Sequence, residues 1–276
     1  MTSGQSERVC TGISGLDEML EGGLIRARPY VVSGTSGSGK TTFGIQFLHQ
    51  GVKQGERALL VAIDEPPSEI RENFRALGWD VGKIRILDVH PTAKSYSKRV
   101  SLVEVAAQRS VGALREAAPN AKSEALKQAS PEISIQSLQL MLKQELQDIK
   151  YARVVIDSVT SLKKLSEGME DTRSSISSLL RFVSESEVTA LIITDLPDPA
   201  ELESEIFLAR GEVRLHKRMV ANRIDRFVTI EKFRGSDHDT MPRPMTLSER
   251  GITVDARKKI PKASLRTLQA FTQYAR

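Results

Sequence analysis

Residues Val31 to Thr42 read Val-Val-Ser-Gly-Thr-Ser-Gly-Ser-Gly-Lys-Thr-Thr, an apolar strand that enters a glycine-rich loop and then a helix-compatible segment. That order constrains the chain more than anything else in it. Gly34, four residues, Gly39, Lys40 and Thr41 form the phosphate-loop pattern, in which glycines let the backbone curl and aim consecutive N–H groups at phosphate oxygens. The positive end of the following helix adds to the cradle. The loop therefore implies a nucleoside triphosphate held by Gly34, Thr35, Ser36, Gly37, Ser38, Gly39, Lys40 and Thr41. Lys40 reaches the β and γ phosphates, and the Thr41 hydroxyl is a ligand of the magnesium ion that bridges them. Phe43, Phe47 and Leu48 have the spacing of a helix that packs one face on a core.

Strand-length apolar runs recur at Tyr30–Ser33, Ala58–Ile63, Ile84–Val89, Val154–Ile156 and Ala190–Thr194. Between them lie segments of helical spacing at Thr41–Lys53, Ser68–Leu77, Leu102–Ala117, Ile135–Ile149 and Thr172–Ser184. Strands that alternate with helices predict an α/β fold with a mostly parallel twisted sheet and helices on both faces. Pro119–Ser130, polar and rich in Ala and Lys, reads as a connection. Glu212–Val220 and Arg226–Arg234 flank Ala221-Asn222-Arg223 and predict an antiparallel hairpin at the C-terminal edge of the sheet. With one phosphate loop and no internal repeat, one nucleotide site per chain is expected.

Hydrolysis needs an acid that orients magnesium and a residue that positions or deprotonates water. Ligands of open α/β sheets sit at the carboxyl ends of strands. Arg153-Val-Val-Ile-Asp157 places Asp157 at such an end, as the acid that holds magnesium or as the cap of the next helix. Ala58-Leu-Leu-Val-Ala-Ile-Asp64-Glu65 ends another strand in two carboxylates, which supply a general base or cap the helix from Ser68. On an extended strand through Phe227–Arg234, Val228, Ile230, Lys232 and Arg234 share one face, with Thr229, Glu231 and Phe233 on the other. Two cations on one face of an edge strand suit a partner's phosphates or keep the edge soluble.

Composition limits the alternatives. The chain of 276 residues has 39% hydrophobic and 27% charged residues and carries a net charge of +5, the profile of an ordinary globular protein. The six cations Arg257, Lys258, Lys259, Lys262, Arg266 and Arg276 exceed that net charge. Residues 1–255 are thus close to neutral and residues 256–276 form a basic tail, so the overall charge is no argument for nucleic acid on the main domain. The lone Cys10 excludes an internal disulfide and a cysteine-built metal site. Without a spanning apolar stretch or signal-peptide core, the expected location is the cytoplasm.

The sequence resembles the KaiC-like branch of the RecA superfamily of ATPases over nearly all of residues 8–254. The resemblance begins at Arg8-Val-Cys-Thr-Gly-Ile-Ser-Gly-Leu-Asp17 and continues through Gly22-Gly23 and Leu77-Gly-Trp-Asp80. It closes with Glu231-Lys232-Phe-Arg234-Gly-Ser-Asp-His238 and Met245-Thr-Leu-Ser-Glu-Arg-Gly251-Ile. It implies a RecA-like core that binds ATP and Mg2+ between the subunits of a homo-oligomeric ring, commonly a hexamer. Asp64 and Glu65 match the family's paired catalytic carboxylates, usually Glu-Glu. Lys232 and Arg234 match the element that reaches the neighbouring subunit's γ phosphate, and His238 matches a position near that nucleotide. Thr42 matches the second threonine after the phosphate-loop lysine. Two departures stand out. Ile206–Gly211 has no hydroxyl residue where the clock members autophosphorylate, which disfavours an autokinase. Ala27 also stands where the family generally has glycine, a change expected only to shift a turn.

Three functions follow as expectations. The first is a regulatory ATPase, with slow turnover, that signals to a protein partner. The second is a DNA-binding recombinase paralogue, disfavoured because the segments Ser161–Thr172 and Leu196–Gly211, with the adjoining Asp195, hold Glu167, Glu170, Asp171, Asp198, Glu201, Glu203 and Glu205 against Lys163, Lys164 and Arg210. The third is a nucleotide-gated scaffold that binds ATP without turnover.

Overall fold

The computed structural model describes residues 7–89, 134–166, 171–196, 204–220 and 222–260. The predicted helix at Leu102–Ala117, the connection Pro119–Ser130 and the tail beyond Ile260 lie outside them. In chain order the elements are β1 (Arg8–Val9), α1 (Leu16–Met19), β2 (Leu24–Ile25), β3 (Pro29–Gly34), α2 (Lys40–Lys53), β4 (Ala58–Ala62), α3 (Pro67–Ala76) and β5 (Arg85–Asp88). They continue with α4 (Ile135–Asp148), β6 (Arg153–Asp157), α5 (Val159–Leu165), α6 (Thr172–Glu185), β7 (Thr189–Thr194) and α7 (Ser204–Leu208). Four strands close the described chain: β8 (Gly211–Val220), β9 (Arg223–Phe233), β10 (Arg243–Ser248) and β11 (Gly251–Val254).

Nine strands form one sheet in the order β11-β10-β9-β8-β3-β7-β6-β4-β5, and β1 pairs with β2 in a separate two-stranded ribbon. From β5 to β8 every pairing is parallel. Parallel strands must be covered on both faces, which is why β3, β4, β6 and β7 read as continuous apolar runs rather than alternating ones. The alternation reappears in which core each residue joins. Tyr30, Val32, Leu60, Val155, Leu191 and Ile193 pack with Phe43, Phe47, Ile70 and Phe74 of α2 and α3. Val31, Leu59, Val61, Val154, Ile156 and Ile192 pack with Leu138, Leu162, Ile176 and Leu180 of α4, α5 and α6. Helix α4 starts in a capping box, where Ser134 Oγ accepts from Ser137 N at 3.0 Å and Ser137 Oγ accepts from Ser134 N at 3.2 Å.

The predicted hairpin is β8–β9, antiparallel, on the flank of β3. It is not the last of the sheet, because β10 and β11 continue beyond it as a second hairpin. The expected sharing of faces along β9 needs correction. Glu212 pairs with Lys232 but Val213 pairs with Ile230, so the register shifts and Glu231 is an extra residue, a β-bulge. Past the bulge the parity inverts, and Phe233 joins the same core as Val228 and Ile230, away from Lys232 and Arg234. Two segments expected to be loops contain the short helices α5 and α7. No helix among the described residues is long and apolar enough to cross a membrane.

Candidate functional site

The phosphate loop connects the carboxyl end of β3, flanked by β7 and β8, to α2. At Gly34 a Cβ would lie 2.6 Å from Ser38 Oγ and 2.7 Å from Leu215 O, so the tight loop leaves no room for a side chain. Gly39 caps α2 with φ +108° and makes no side-chain cap bond. The first-turn N–H groups of α2 therefore lack a capping side chain and remain available to an anion. Thr35, Ser36 and Gly37 form the exposed rim of this cradle, and Ser38 is buried beneath it. Lys40 Nζ donates to Gly34 O at 2.8 Å and Thr35 O at 3.1 Å and pairs with Asp195 Oδ1 at 2.9 Å. Thr42 follows Thr41 on the first turn, partly buried.

The acids predicted for magnesium and catalysis gather beside this loop. Thr41 hydrogen-bonds the Asp157 carboxylate. The Ala62–Asp157 register sets the end of β4 beside the end of β6 and brings Asp64 and Glu65 into the same field. Burial, with the negative charge of Asp64 and Glu65, raises the Asp157 pKa to about 7, against the opposing Thr41 bond and Lys40 charge. Burial raises the Glu65 pKa as well, helped by Glu69 and Asp64 and opposed by a bond from Asn73. Asp64 is exposed and Glu65 half-buried.

The plain alternatives for these acids do not hold. Ser158, not Asp157, caps α5, its Oγ accepting from Ser161 N at 3.3 Å. Pro66 occupies the N-cap of α3, which has no side-chain cap, so neither Asp64 nor Glu65 serves there. The arrangement fits Mg2+ with a triphosphate. Thr41 and Asp157 would supply hard oxygen ligands, and the uncapped helix and Lys40 an anion cradle, with phosphate oxygens to complete the metal's shell. No group of three or more His, Cys, Asp or Glu suited to a metal occurs among the described residues.

Lys232, Arg234 and His238 are not part of this cluster. They lie at the opposite end of the sheet, because Lys232 pairs with Glu212 at the start of β8 while Leu215 pairs with Gly34 at the phosphate loop. Lys232 Nζ donates to Ile206 O and Phe207 O, both at 2.9 Å, and so is tied to α7 of its own chain. The Arg234 side chain is exposed, and the His238 ring meets the edge of Phe233 with centroids 6.2 Å apart.

Sequence reasoning missed two cations that do reach the loop. Lys217 Nζ donates to Ser36 O at 2.9 Å, and Arg226 Nη2 to Gly37 O at 3.4 Å. They are cross-strand partners in the β8–β9 hairpin. Only the parallel pairing of β8 with β3 puts them there, and nothing local in the sequence signals it. It also missed Asp195 as the partner of Lys40 and misjudged Glu205. Glu205 is fully buried, pairs with Lys163 at 2.8 Å and accepts from Thr194 Oγ1 at 3.1 Å, so it is no solvent-facing loop acid. Glu167, Glu170, Asp198, Glu201 and Glu203 lie outside the described residues.

The KaiC ATPase family profile matches residues 9–259. A UPF0273 protein of Thermotoga maritima is 28% identical over 261 residues, which covers 90% of this chain and 96% of that protein. Circadian clock protein KaiC2 of a Synechocystis species is 28% identical over 251 residues, 88% of this chain but 39% of the longer relative. Among solved structures, a KaiC-like protein of the hyperthermophilic archaeon Pyrococcus horikoshii superposes with a TM-score of 0.70 at 25% identity, covering 91% of this chain and all of that one. With matched sequence over most of its length and a phosphate loop set on the same fold, the chain belongs to the KaiC family of ATPases.

Proposed function

We propose that the chain binds Mg-ATP at the phosphate loop and hydrolyses it slowly at the interfaces of a homo-oligomeric ring, as a regulatory ATPase built on residues 1–255 with a basic tail. The observation that carries this reading is the convergence of Lys40, the Thr41–Asp157 pair and the Asp64–Glu65 carboxylates at the carboxyl ends of adjacent strands. Thr41 and Asp157 hold the metal, Asp157 in its ionised form. Bound magnesium neutralises charge on the β and γ phosphates. Lys40 exchanges its bond to Asp195 for phosphate oxygens. Glu65, whose proton affinity is raised by burial and is steadied by Asn73, accepts the proton of the attacking water. Catalysis is then positioning and charge neutralisation.

The match to the KaiC ATPase family, whose resemblance implies a ring, supports assembly, and strand geometry supplies the reason it matters. Lys232 and Arg234 stand at the far end of β9 from the loop, so they act on a neighbour's nucleotide or on none. Trans cations of this kind are worth ~10³ or more in rate. One observation favours the scaffold reading, in which ATP is bound and not turned over: the Lys232 ammonium is occupied by the α7 carbonyls. The deciding experiment is Mg-ATP turnover per subunit against protein concentration, with light scattering on the same samples and Arg234→Ala as control. Turnover that rises as rings form, and that the control abolishes without dissolving them, supports the intersubunit ATPase. Bound ATP without turnover in an intact ring supports the scaffold, and concentration-independent turnover by a monomer removes Lys232 and Arg234 from the reaction.

A further inference from the structure

Consecutive carbonyls along the phosphate loop, those of Gly34, Thr35, Ser36 and Gly37, each accept a bond from a cation. Lys40 Nζ takes the first two at 2.8 and 3.1 Å, Lys217 Nζ takes Ser36 O at 2.9 Å, and Arg226 Nη2 takes Gly37 O at 3.4 Å. Lys40 belongs to the loop's own pattern, and the Arg226 contact is the longest and weakest. Lys217 comes from elsewhere in the chain. It stands on β8 two residues past Leu215, which pairs with Gly34 at the end of β3, and it shares a face of the strand with Leu215. Strand pairing thus delivers its ammonium to the crown of the loop. Gly37 suits this approach, with a φ of +71° and room that a Cβ would take up, since it would lie 2.9 Å from Lys217 Nζ. The phosphate-loop pattern leaves position 37 free, so glycine there answers to the turn and to the ammonium above it rather than to the motif.

Ser36 O and the Gly37 N–H belong to one planar trans peptide and point in opposite directions. A bond that holds the carbonyl toward β8 therefore turns the amide hydrogen away from β8. Glycine does not itself decide between this orientation and the flipped one, because it accepts φ of either sign. We propose that Lys217 is a positioning residue of the nucleotide site: by holding Ser36 O on the hairpin side, it keeps the Gly37 N–H turned into the cradle as a donor to the triphosphate. The flipped peptide presents a carbonyl oxygen to the phosphates instead, and the two repel. This role rests on the loop as the ATP site and adds to that site a selector of its backbone conformation. Lys40 moves to the phosphates when nucleotide binds, whereas Lys217 stays on the carbonyl and touches no phosphate.

The test measures binding of a fluorescent, non-hydrolysable ATP analogue with Mg2+ to the full chain, at about 0.1 M and about 1 M salt, where charges are screened beyond about 10 Å and about 3 Å. The variants are Lys40→Ala, Lys217→Met and Lys217→Arg. Lys217 is exposed, so its two substitutions are expected to leave the melting temperature unchanged. Wild type is expected to bind and Lys40→Ala to lose binding. A wild type that does not bind, or a Lys40→Ala that binds equally well, overturns the loop as the ATP site and the role of Lys217 with it. Where the loop passes that check, Lys217→Met is expected to weaken the analogue about tenfold at both salt concentrations, the size of one bond from a charged donor. Lys217→Arg, which still donates to Ser36 O, is expected to stay within about threefold of wild type. Wild-type affinity in Lys217→Met overturns the proposal, as does an equal loss in Lys217→Arg. A loss that vanishes at the higher salt also overturns it, because Lys217 would then be a source of positive field and nothing more.

Discussion

Replacement of Arg153 by methionine should destabilise the fold by about 4 kcal/mol, although the residue lies far from any proposed chemistry. Arg153 opens β6 with 1% of its side chain exposed. Its Nε donates to Glu56 Oε2 at 2.5 Å, Nη1 to Cys10 O at 2.8 Å and to Phe47 O at 2.9 Å, and Nη2 to Gln54 Oε1 at 2.6 Å. The guanidinium also lies 4.6 Å from the centre of the Phe47 ring. Methionine fills much of the volume and satisfies none of these acceptors. The two carbonyls lose a charged donor, at about 1–3 kcal/mol each in a buried setting. Glu56 keeps Arg26 at 3.2 Å, which limits its share of the loss. Removal of one partner from a buried ion pair costs about 3–5 kcal/mol in general, in line with that sum after relaxation. For a chain of this size about 4 kcal/mol lowers Tm by roughly 8–16 °C. Calorimetry on Arg153→Met, Glu56→Gln and the double variant checks it, with a coupling of about 1.5–3 kcal/mol expected between the two sites. A Tm within about 2 °C of wild type for Arg153→Met would refute the reasoning.

Two further predictions concern the turn before β3 and the metal site. Ala27 adopts a left-handed φ of +57°, a conformation that glycine prefers, while its N–H donates to Thr189 Oγ1 at 3.0 Å. Ala27→Gly should stabilise the chain by up to about 1 kcal/mol, and a lower Tm would contradict this. Asp157, with its pKa raised to about 7, would have to release a proton to hold magnesium in the proposed site. Since the protonated acid dominates below that value, Mg-nucleotide affinity should fall as pH drops below about 7, by up to tenfold per unit, and level off above it. Asp157→Asn should bind weakly with no such slope, and titration calorimetry in buffers of different ionisation enthalpy should register proton uptake by buffer for the wild type alone.

The folding pattern was legible in the residues wherever local chemistry decided it. The apolar runs of β3, β4, β6 and β7 and the helical spacing of α2, α3, α4 and α6 are periodic signals, and the observed elements agree with them to within about two residues at each end. The phosphate loop is likewise local, since strand, glycines, Lys40 and Thr41 are contiguous. Asp157 and Asp64-Glu65 were readable because a strand's carboxyl end is marked by the change from apolar to acidic residues. The bulge at Glu231 was not, because a register shift depends on the partner strand and leaves no mark on the bulged one. That shift is what sends Phe233 into the core and leaves Lys232 and Arg234 facing away from it.

The sequence by itself therefore determined the phosphate-loop element, the succession of strands and helices and the acids that follow β4 and end β6, since each of these is marked by its own short run of residues. Tertiary structure alone decided which distant residues share an end of the sheet. Parallel pairing of β8 with β3, residues some 180 positions apart, brings Lys217 over the phosphate loop and carries Arg210 to Arg28 at the other end. The physical reason is that strand order and register are set by burial of both sheet faces, a property of the whole chain, whereas a loop's shape is set by its own backbone.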